Sequence, residues 1–204
     1  MAEQLALQLE DGGSIPTSPL QNKLSLCRFR DIRFLFEKYH YKGGHMGGGI
    51  SWCFKLTFDH RITGGAVLGK PRHDKVYSSN GDKSIEIRRM ALLDECPRNS
   101  ESYFLGKIIW WLRRNTDITR VISYADQSVG HAGTIYKAAN FQVIGKTAPS
   151  CHVFWRGKRY HPRSLTIDRP YSYVMREAVK TGEASIVRGE PKLIYAYCIR
   201  RSHD

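Results

Sequence analysis

Apolar and polar positions along this chain sort it into strands and helices. KLSLCRF (23–29) alternates with a period of two, as a half-buried strand does. Asp31 then opens a helical pattern with Ile32, Leu35, Phe36 and Tyr39 on one face, ending at His40-Tyr41. SWCFKLTFD (51–59) alternates Trp52, Phe54, Leu56 and Phe58 with polar neighbours. A turn at His60-Arg61 leads into ITGGAVLG, and the pair predicts a hairpin. IEIRRMALLD (85–94) reads as a strand with two arginines inside it. YFLGKIIWWLRRN (103–115) carries Leu105, Ile108, Ile109 and Leu112 on an inner helical stripe, with Asn99 or Ser100 as its cap. VISYAD (121–126) is a further strand, a helix is expected over residues 130–140, and QVIGK (142–146) returns as a strand. CHVFWRGKRYHPRSLTID predicts another strand and a basic loop, RPYSYVMREAVKTG one short helix, and KLIYAYCIR (192–200) a strand that closes the sheet.

That order predicts one α/β domain over 23–204: a mixed central sheet flanked by helices, with a basic C-terminal elaboration. Residues 1–22 are polar, with Gly12-Gly13 and two prolines, and read as a flexible N-terminal arm. Five glycines within 43–49 rule out regular structure there and allow a ligand to approach the backbone closely. Residues 70–84 read as a basic, turn-rich loop.

Composition narrows the class. With 41% hydrophobic residues the 204-residue chain can build a real core. No apolar run approaches the roughly 18 residues that span a bilayer, so no membrane association is expected. The N-terminus lacks a basic region followed by a long apolar stretch, and the cytoplasm is the default location. Cys27, Cys53, Cys96, Cys151 and Cys198 are odd in number and widely spaced, which argues against a disulfide framework or a zinc knuckle and for buried free thiols. A net charge of +13 points to a polyanionic partner, with double-stranded DNA the foremost candidate. Nothing in the chain sets an oligomeric state, and a homodimer is compatible with it.

Candidate chemistry gathers around one strand end. Asp126 closes the strand 121–126, where open α/β sheets form ligand crevices, and its carboxylate suits orienting an amine or taking its proton. Ser123 and Tyr124 alternate, so one of them faces that crevice, and the alternation does not choose. Arg88 and Arg89 point to opposite faces of an apolar strand. An inward guanidinium needs a carboxylate or a substrate oxygen, and Arg89, in step with Ile85, Ile87 and Ala91, is the functional choice with Asp126 as a candidate partner. At the helix start after PRNSES, the amides of Ser100 to Ser102, the Ser102 hydroxyl and Arg98 suit an anion. Gly130 and Gly133 bracket His131 where backbone amides suit an anion or a carbonyl oxygen. FWRGKRYHPR interleaves Arg156, Lys158, Arg159 and Arg163 with Trp155 and Tyr160, a pattern for positioning phosphates and stacking on bases. Lys70, Arg72 and Lys75 suit a second clamp, and Trp52, Tyr41 or Tyr160 suit the walls of a pocket for an extruded base.

The strand–helix–strand–helix order over 85–145 resembles the Gcn5-related N-acetyltransferase fold. Ile135-Tyr136-Lys137-Ala138-Ala139-Asn140-Phe141 resembles that superfamily's Y-x-x-x-G-F segment, with Asn140 in place of glycine. IEIRRMALLDECPRNSES followed by ISYADQSVGHAGTIYKAANF is more specifically similar to the phage Mom family of DNA-modifying proteins, over residues 30–160. The resemblance implies conversion of the adenine N6 amine in DNA to a carbamoylmethyl derivative, which protects phage DNA from host restriction. It implies an acetyl-CoA-like acyl donor, with Tyr136 as the acid that protonates the leaving thiolate; a phenol, titrating near about 10, carries its proton at neutral pH. It keeps Ser102 among the site residues, although PRNSES lacks the glycines usual in the superfamily's pyrophosphate loop. It also links His40 and Tyr41 to iron, with His45, His131 or Asp126 to complete a shell. The alternative reading is an N-acetyltransferase acting on a protein or small-molecule amine.

Overall fold

The alternating segments become strands because one face of each can be covered. The computed structural model describes residues 14–40, 46, 49–71, 83–127 and 133–199. Strand β1 (Lys23–Leu26) is followed by helix α1 (Phe29–Tyr39), whose carboxylate at Asp31 accepts from the Arg28 amide at 2.9 Å. Strands β2 (Ile50–Phe58) and β3 (Arg61–Gly69) form the predicted hairpin. The turn at Asp59-His60 has φ of 46° and 63°, the left-handed pair that a two-residue hairpin loop requires. Strand β4 (Ser84–Leu92), helix α2 (Ser100–Asn115), strand β5 (Arg120–Ala125), helix α3 (Thr134–Ala138) and strand β6 (Gln142–Lys146) follow. The C-terminal part adds β7 (Cys151–Trp155), β8 (Lys158–Tyr160), helix α4 (Pro170–Thr181), β9 (Ala184–Arg188) and β10 (Leu193–Cys198).

Two compact units emerge, one of 1–123, 133–143 and 195–204, the other of 124–132 and 144–194. The large mixed sheet runs β1-β2-β3-β4-β5-β10-β6. In the first unit Ile32, Leu35 and Phe36 of α1, all at 0% exposure, pack with Cys53, Val67, Ala91 and Leu93 into one apolar cluster. Burying each of these large side chains contributes about 1.5–3 kcal/mol. The second unit is a three-stranded antiparallel sheet, β8-β7-β9, covered by α4 through Val153, Trp155, Met175, Ala178 and Ala184.

Four expectations change. The helix expected over 130–140 is, among the described residues, only the five residues of α3. The segment 192–200 does not close the sheet: β10 is inserted between β5 and β6, and β6 takes the edge. Strand β9 carries no alternation to reveal it, since four of its five positions are exposed. The end of the expected arm is held by distant segments: Asn22 is 3% exposed, accepts from the Thr63 hydroxyl at 2.5 Å, and its carbonyl accepts from the Tyr103 phenol at 3.3 Å.

Gly65 lets α1 lie directly on β3. A Cβ there would sit 2.9 Å from Ile32 Cβ and 3.0 Å from Leu35 Cδ1. Gly65→Ala is therefore expected to cost about 1–3 kcal/mol by overpacking, read as a lower denaturation midpoint. The cysteines of this region are free thiols. Burial pushes Cys27 up to about 12 and Cys53 and Cys96 up to about 11. The unfolded chain releases these protons near pH 9, whereas the folded chain retains them, so stability is full below pH 9 and falls as pH rises toward 11. Urea unfolding at pH 8 and pH 10 checks this; equal midpoints would contradict it.

Candidate active site

Parallel strands β4 and β5 pair only over Ser84–Glu86 with Arg120–Ile122. Both continue, to Leu92 and Ala125, beyond that last pair. Where the pairing stops, backbone edges become available to a ligand, because a strand's N–H and C=O groups must find partners somewhere. Ser123 is the first residue of β5 past the pairing. It is 1% exposed, and its hydroxyl lies 3.4 Å from the Ile87 carbonyl, the first residue of β4 past the pairing. The same hydroxyl donates to the Tyr136 phenol oxygen at 2.7 Å. Of Ser123 and Tyr124, the serine is thus the one joined to the expected acid.

Tyr136 is braced from several sides. Its ring packs on Tyr195 at 5.1 Å and on Phe141 at 5.6 Å. Its amide donates to the Gly133 carbonyl at 3.0 Å, and its carbonyl accepts from the Phe141 amide at 2.9 Å. Gly133 caps α3 at a left-handed φ of 71°, and a Cβ built on it would run into the Tyr195 ring. The glycine, expected to admit a ligand, admits Tyr195. Just past the helix, Asn140 has φ of 61°. Asparagine tolerates the left-handed conformation nearly as glycine does, so it can stand at a position where the resembling segment has glycine. Phe141 was named only as the end of the Y-x-x-x-G-F-like segment, and Tyr195 was not singled out from sequence; its signal was only an aromatic within an apolar strand pattern.

The two arginines of β4 separate as expected, with an irregularity that alternation does not announce. Val67 pairs with Arg89 but Leu68 pairs with Ile87, so Arg88 is an extra, bulged residue. The Arg88 guanidinium donates to the Lys70 carbonyl at 2.8 Å and lies against Gly49 and Gly69. Arg89 places Nε 3.3 Å from Met46 Sδ and Nη1 3.4 Å from His40 Nδ1. A guanidinium only donates, so Nδ1 is the accepting nitrogen and the His40 ring proton belongs on Nε2. That contact speaks against His40 Nδ1 as an iron ligand, because a fixed cation already occupies its lone pair. No group of three or more His, Cys, Asp or Glu that could hold a metal comes together among the described residues. The described residues do not fit an iron centre; Tyr41, His45 and His131 lie outside them.

Asp126 belongs to the second unit. Its carboxylate, 9% exposed as a residue, pairs with the Lys192 ammonium at 2.5 Å. His152 is held below its ordinary value, chiefly by burial and then by the positive Arg159, His161 and Lys192, with Asp126 acting the other way. Sequence reasoning passed over Lys192, which looks like one more surface cation. Lys192→Met removes the positive half of a largely buried pair and is expected to cost about 2–4 kcal/mol in denaturant unfolding; an unchanged midpoint would show that the pair is idle.

At the start of α2, Asn99 is the N-cap with φ of 71° and its side chain makes no capping bond. The Ser100 hydroxyl is buried and donates to the Pro97 carbonyl at 2.7 Å, so it closes a turn and is not turned toward a ligand. The Ser102 hydroxyl donates to the Asn99 carbonyl at 3.1 Å, and Arg98 is exposed. An anion at this helix start would meet the backbone amides of Glu101 and Ser102, with Arg98 beside them. Gly130 and His131 lie outside the described residues, as do Arg72 and Lys75.

The basic run of the second unit is a hairpin where a strand and loop were expected. Arg156 and Gly157 make the turn between β7 and β8, Lys158, Arg159 and Tyr160 form β8, and Arg163 lies in the short 3-10 turn Pro162–Leu165. Trp155 is not available for stacking on a base: it is 9% exposed and covered by Tyr160 and Arg156 at 6.1 and 4.5 Å. Trp52, in the first unit, meets Trp111 edge-on at 6.0 Å.

Known proteins resemble this chain in sequence and in fold. The model of the Mom protein family matches residues 24–203. A stretch of 62 residues, 30% of this chain, is 40% identical to a methylcarbamoylase mom from Escherichia phage Mu; it spans 26% of that relative's length. Among solved structures, the ribosomal-protein-S18-alanine N-acetyltransferase from Escherichia coli superposes with a TM-score of 0.53 at 12% identity, over 90% of this chain and 97% of the other. The spermidine N-acetyltransferase from Vibrio cholerae, solved with CoA and spermine, gives 0.52 at 8% identity, over 88% and 96%. These structural likenesses establish a GNAT-type fold.

Proposed function

This chain belongs to the Mom protein family, and on that premise we propose that it is a transferase that modifies the exocyclic amine of adenine in double-stranded DNA. The reading extends to a carbamoylmethyl product on N6 that shields phage DNA from restriction, the added group being in keeping with the name methylcarbamoylase borne by the phage Mu relative. One observation carries it: the parting of β4 and β5 beside a phenol–hydroxyl pair, Tyr136 and Ser123, at 2.7 Å.

A coenzyme A thioester bound at this fold, a donor class that the CoA in the Vibrio cholerae structure supports, would supply an activated acyl carbon: the C–S bond breaks, the thiolate leaves and N6 becomes acylated, while a carbamoylmethyl group, joined through its methylene carbon and carrying a second nitrogen, requires a glycine-like co-reactant in addition. The α2 start would hold its phosphates through the Glu101 and Ser102 amides and Arg98. Tyr136 keeps a proton at its phenol oxygen for a leaving group. The Ser123 hydroxyl, donating to that oxygen, then stabilises the phenolate left behind. Tyr195 and Phe141 fix the ring. The adenine amine is a weak nucleophile because its lone pair is delocalised into the ring, so orienting it matters more than deprotonating it beforehand. The carboxylate expected in that role, Asp126, is held by Lys192 within the second unit. No step is routed through a metal, since the described residues do not fit one. Lys158, Arg159 and Arg163 would position DNA phosphates.

The test is to express the protein in a bacterium, digest the host DNA and weigh the nucleosides. A heavier deoxyadenosine supports the reading. Unchanged DNA, together with an acetylated small amine or protein, would replace it with the N-acetyltransferase alternative.

A further inference from the structure

The turn between β7 and β8 contains a residue that its backbone disfavours. Trp155 pairs with Lys158, leaving Arg156 and Gly157 as a two-residue loop, and their φ angles are 49° and 70°. Positive φ at both positions defines a turn whose first residue is typically asparagine, aspartate or glycine. Arginine there makes one local contact. Its guanidinium lies over the Trp155 ring at 4.5 Å, and that ring is itself fixed in the core of the unit against Met175 and Ala178. No ion pair holds Arg156 among the described residues, and its side chain is exposed. Lys158 and Arg159 follow on the exposed edge strand β8. The result is a planar donor fork, pre-oriented by an indole at a hairpin tip and flanked by two cations.

We propose that this tip enters the major groove of duplex DNA and that Arg156 reads a guanine there, while Lys158 and Arg159 contact the flanking phosphates. The inference rests on the DNA reading above and deepens it. The major groove, about 12 Å wide, admits a two-stranded ribbon, and it is the groove in which the adenine N6 amine is displayed. A guanidinium fork matches the O6 and N7 acceptors of guanine, and stacking on Trp155 reduces the rotamer freedom lost on binding.

Binding of the full chain is to be measured on a mixed-sequence duplex and on the same duplex with every guanine replaced by 7-deazaguanine, which lacks the N7 acceptor. The wild-type protein is expected to lose roughly tenfold in affinity on the substituted duplex. Arg156→Lys, which keeps the charge without the fork, is expected to bind both duplexes alike and weakly. Arg156→Asn is expected to do the same while melting a few degrees higher, because asparagine suits the turn. Lys158→Ala is expected to weaken both duplexes equally and to lower the salt dependence of binding. A wild-type protein indifferent to 7-deazaguanine, or an Arg156→Asn variant that discriminates like the wild type, overturns the guanine-reading role and leaves the DNA reading standing. A wild-type protein that binds neither duplex overturns both.

Discussion

Replacing Tyr136 by phenylalanine is expected to lower the yield of modified deoxyadenosine by roughly 10²–10⁴-fold, the range typical for losing a positioned acid. The fold should survive. The Tyr136 ring contacts with Tyr195 and Phe141 do not involve the phenol oxygen, and Ser123 still lies near the Ile87 carbonyl. Ser123→Ala should fall between the two, because it leaves the acid in place and removes only the donor that stabilises its conjugate base; about a tenfold loss is expected. The two variants together separate an acid from a packing tyrosine. If Tyr136→Phe retained full modification with an unchanged melting temperature, the phenol would be a structural group and the proposed chemistry would lose its proton donor.

Gly133→Ala is expected to have the largest effect on stability. Two penalties coincide at one atom. A φ of 71° is left-handed, which an alanine tolerates poorly, and the added Cβ falls inside the Tyr195 ring. Tyr195 is at 0% exposure and so has little room to retreat. A loss of about 3 kcal/mol or more is expected, a substantial part of the 5–15 kcal/mol typical of a folded protein. Because the same ring packs on Tyr136, any residual folded fraction should also be poor at modification. Thermal unfolding and nucleoside mass measured on one preparation check both effects. Gly157→Ala is the control: its φ of 70° carries the same backbone penalty, but no atom lies within 4 Å of the added carbon. Equal losses at the two glycines would mean that the Tyr195 contact contributes nothing.

The strands and long helices were legible because their faces are covered differently. Residues 50–69 alternate and became a hairpin, and Leu105, Ile108, Ile109 and Leu112 at helical spacing became the buried side of α2. Strand β9 was not legible, since it has no buried face to imprint a period, and neither was the bulge at Arg88, which shifts register without changing composition. Among the candidate residues, Asp126 and Arg89 were singled out because carboxylates and guanidiniums in apolar surroundings need a reason, and Tyr136 by its place in the resembling Y-x-x-x-G-F segment. Their partners were not. Asp126 pairs with Lys192, more than sixty residues along the chain, and Arg89 lies against His40 and Met46, contacts that the sequence did not offer.

Local order in the chain thus determined which segments are strands or helices, the strong positive charge, and which residue types carry reactive groups. It did so because period, propensity and charge are properties of neighbours. The tertiary structure alone decided that Ser123 rather than Tyr124 meets Tyr136, that Tyr195 fills the space above Gly133, that β10 slips between β5 and β6, and that Trp155 turns inward while Arg156 covers it. Each of those outcomes depends on a contact between distant segments, which forms only when burying apolar surface brings them together, and no short-range pattern encodes it.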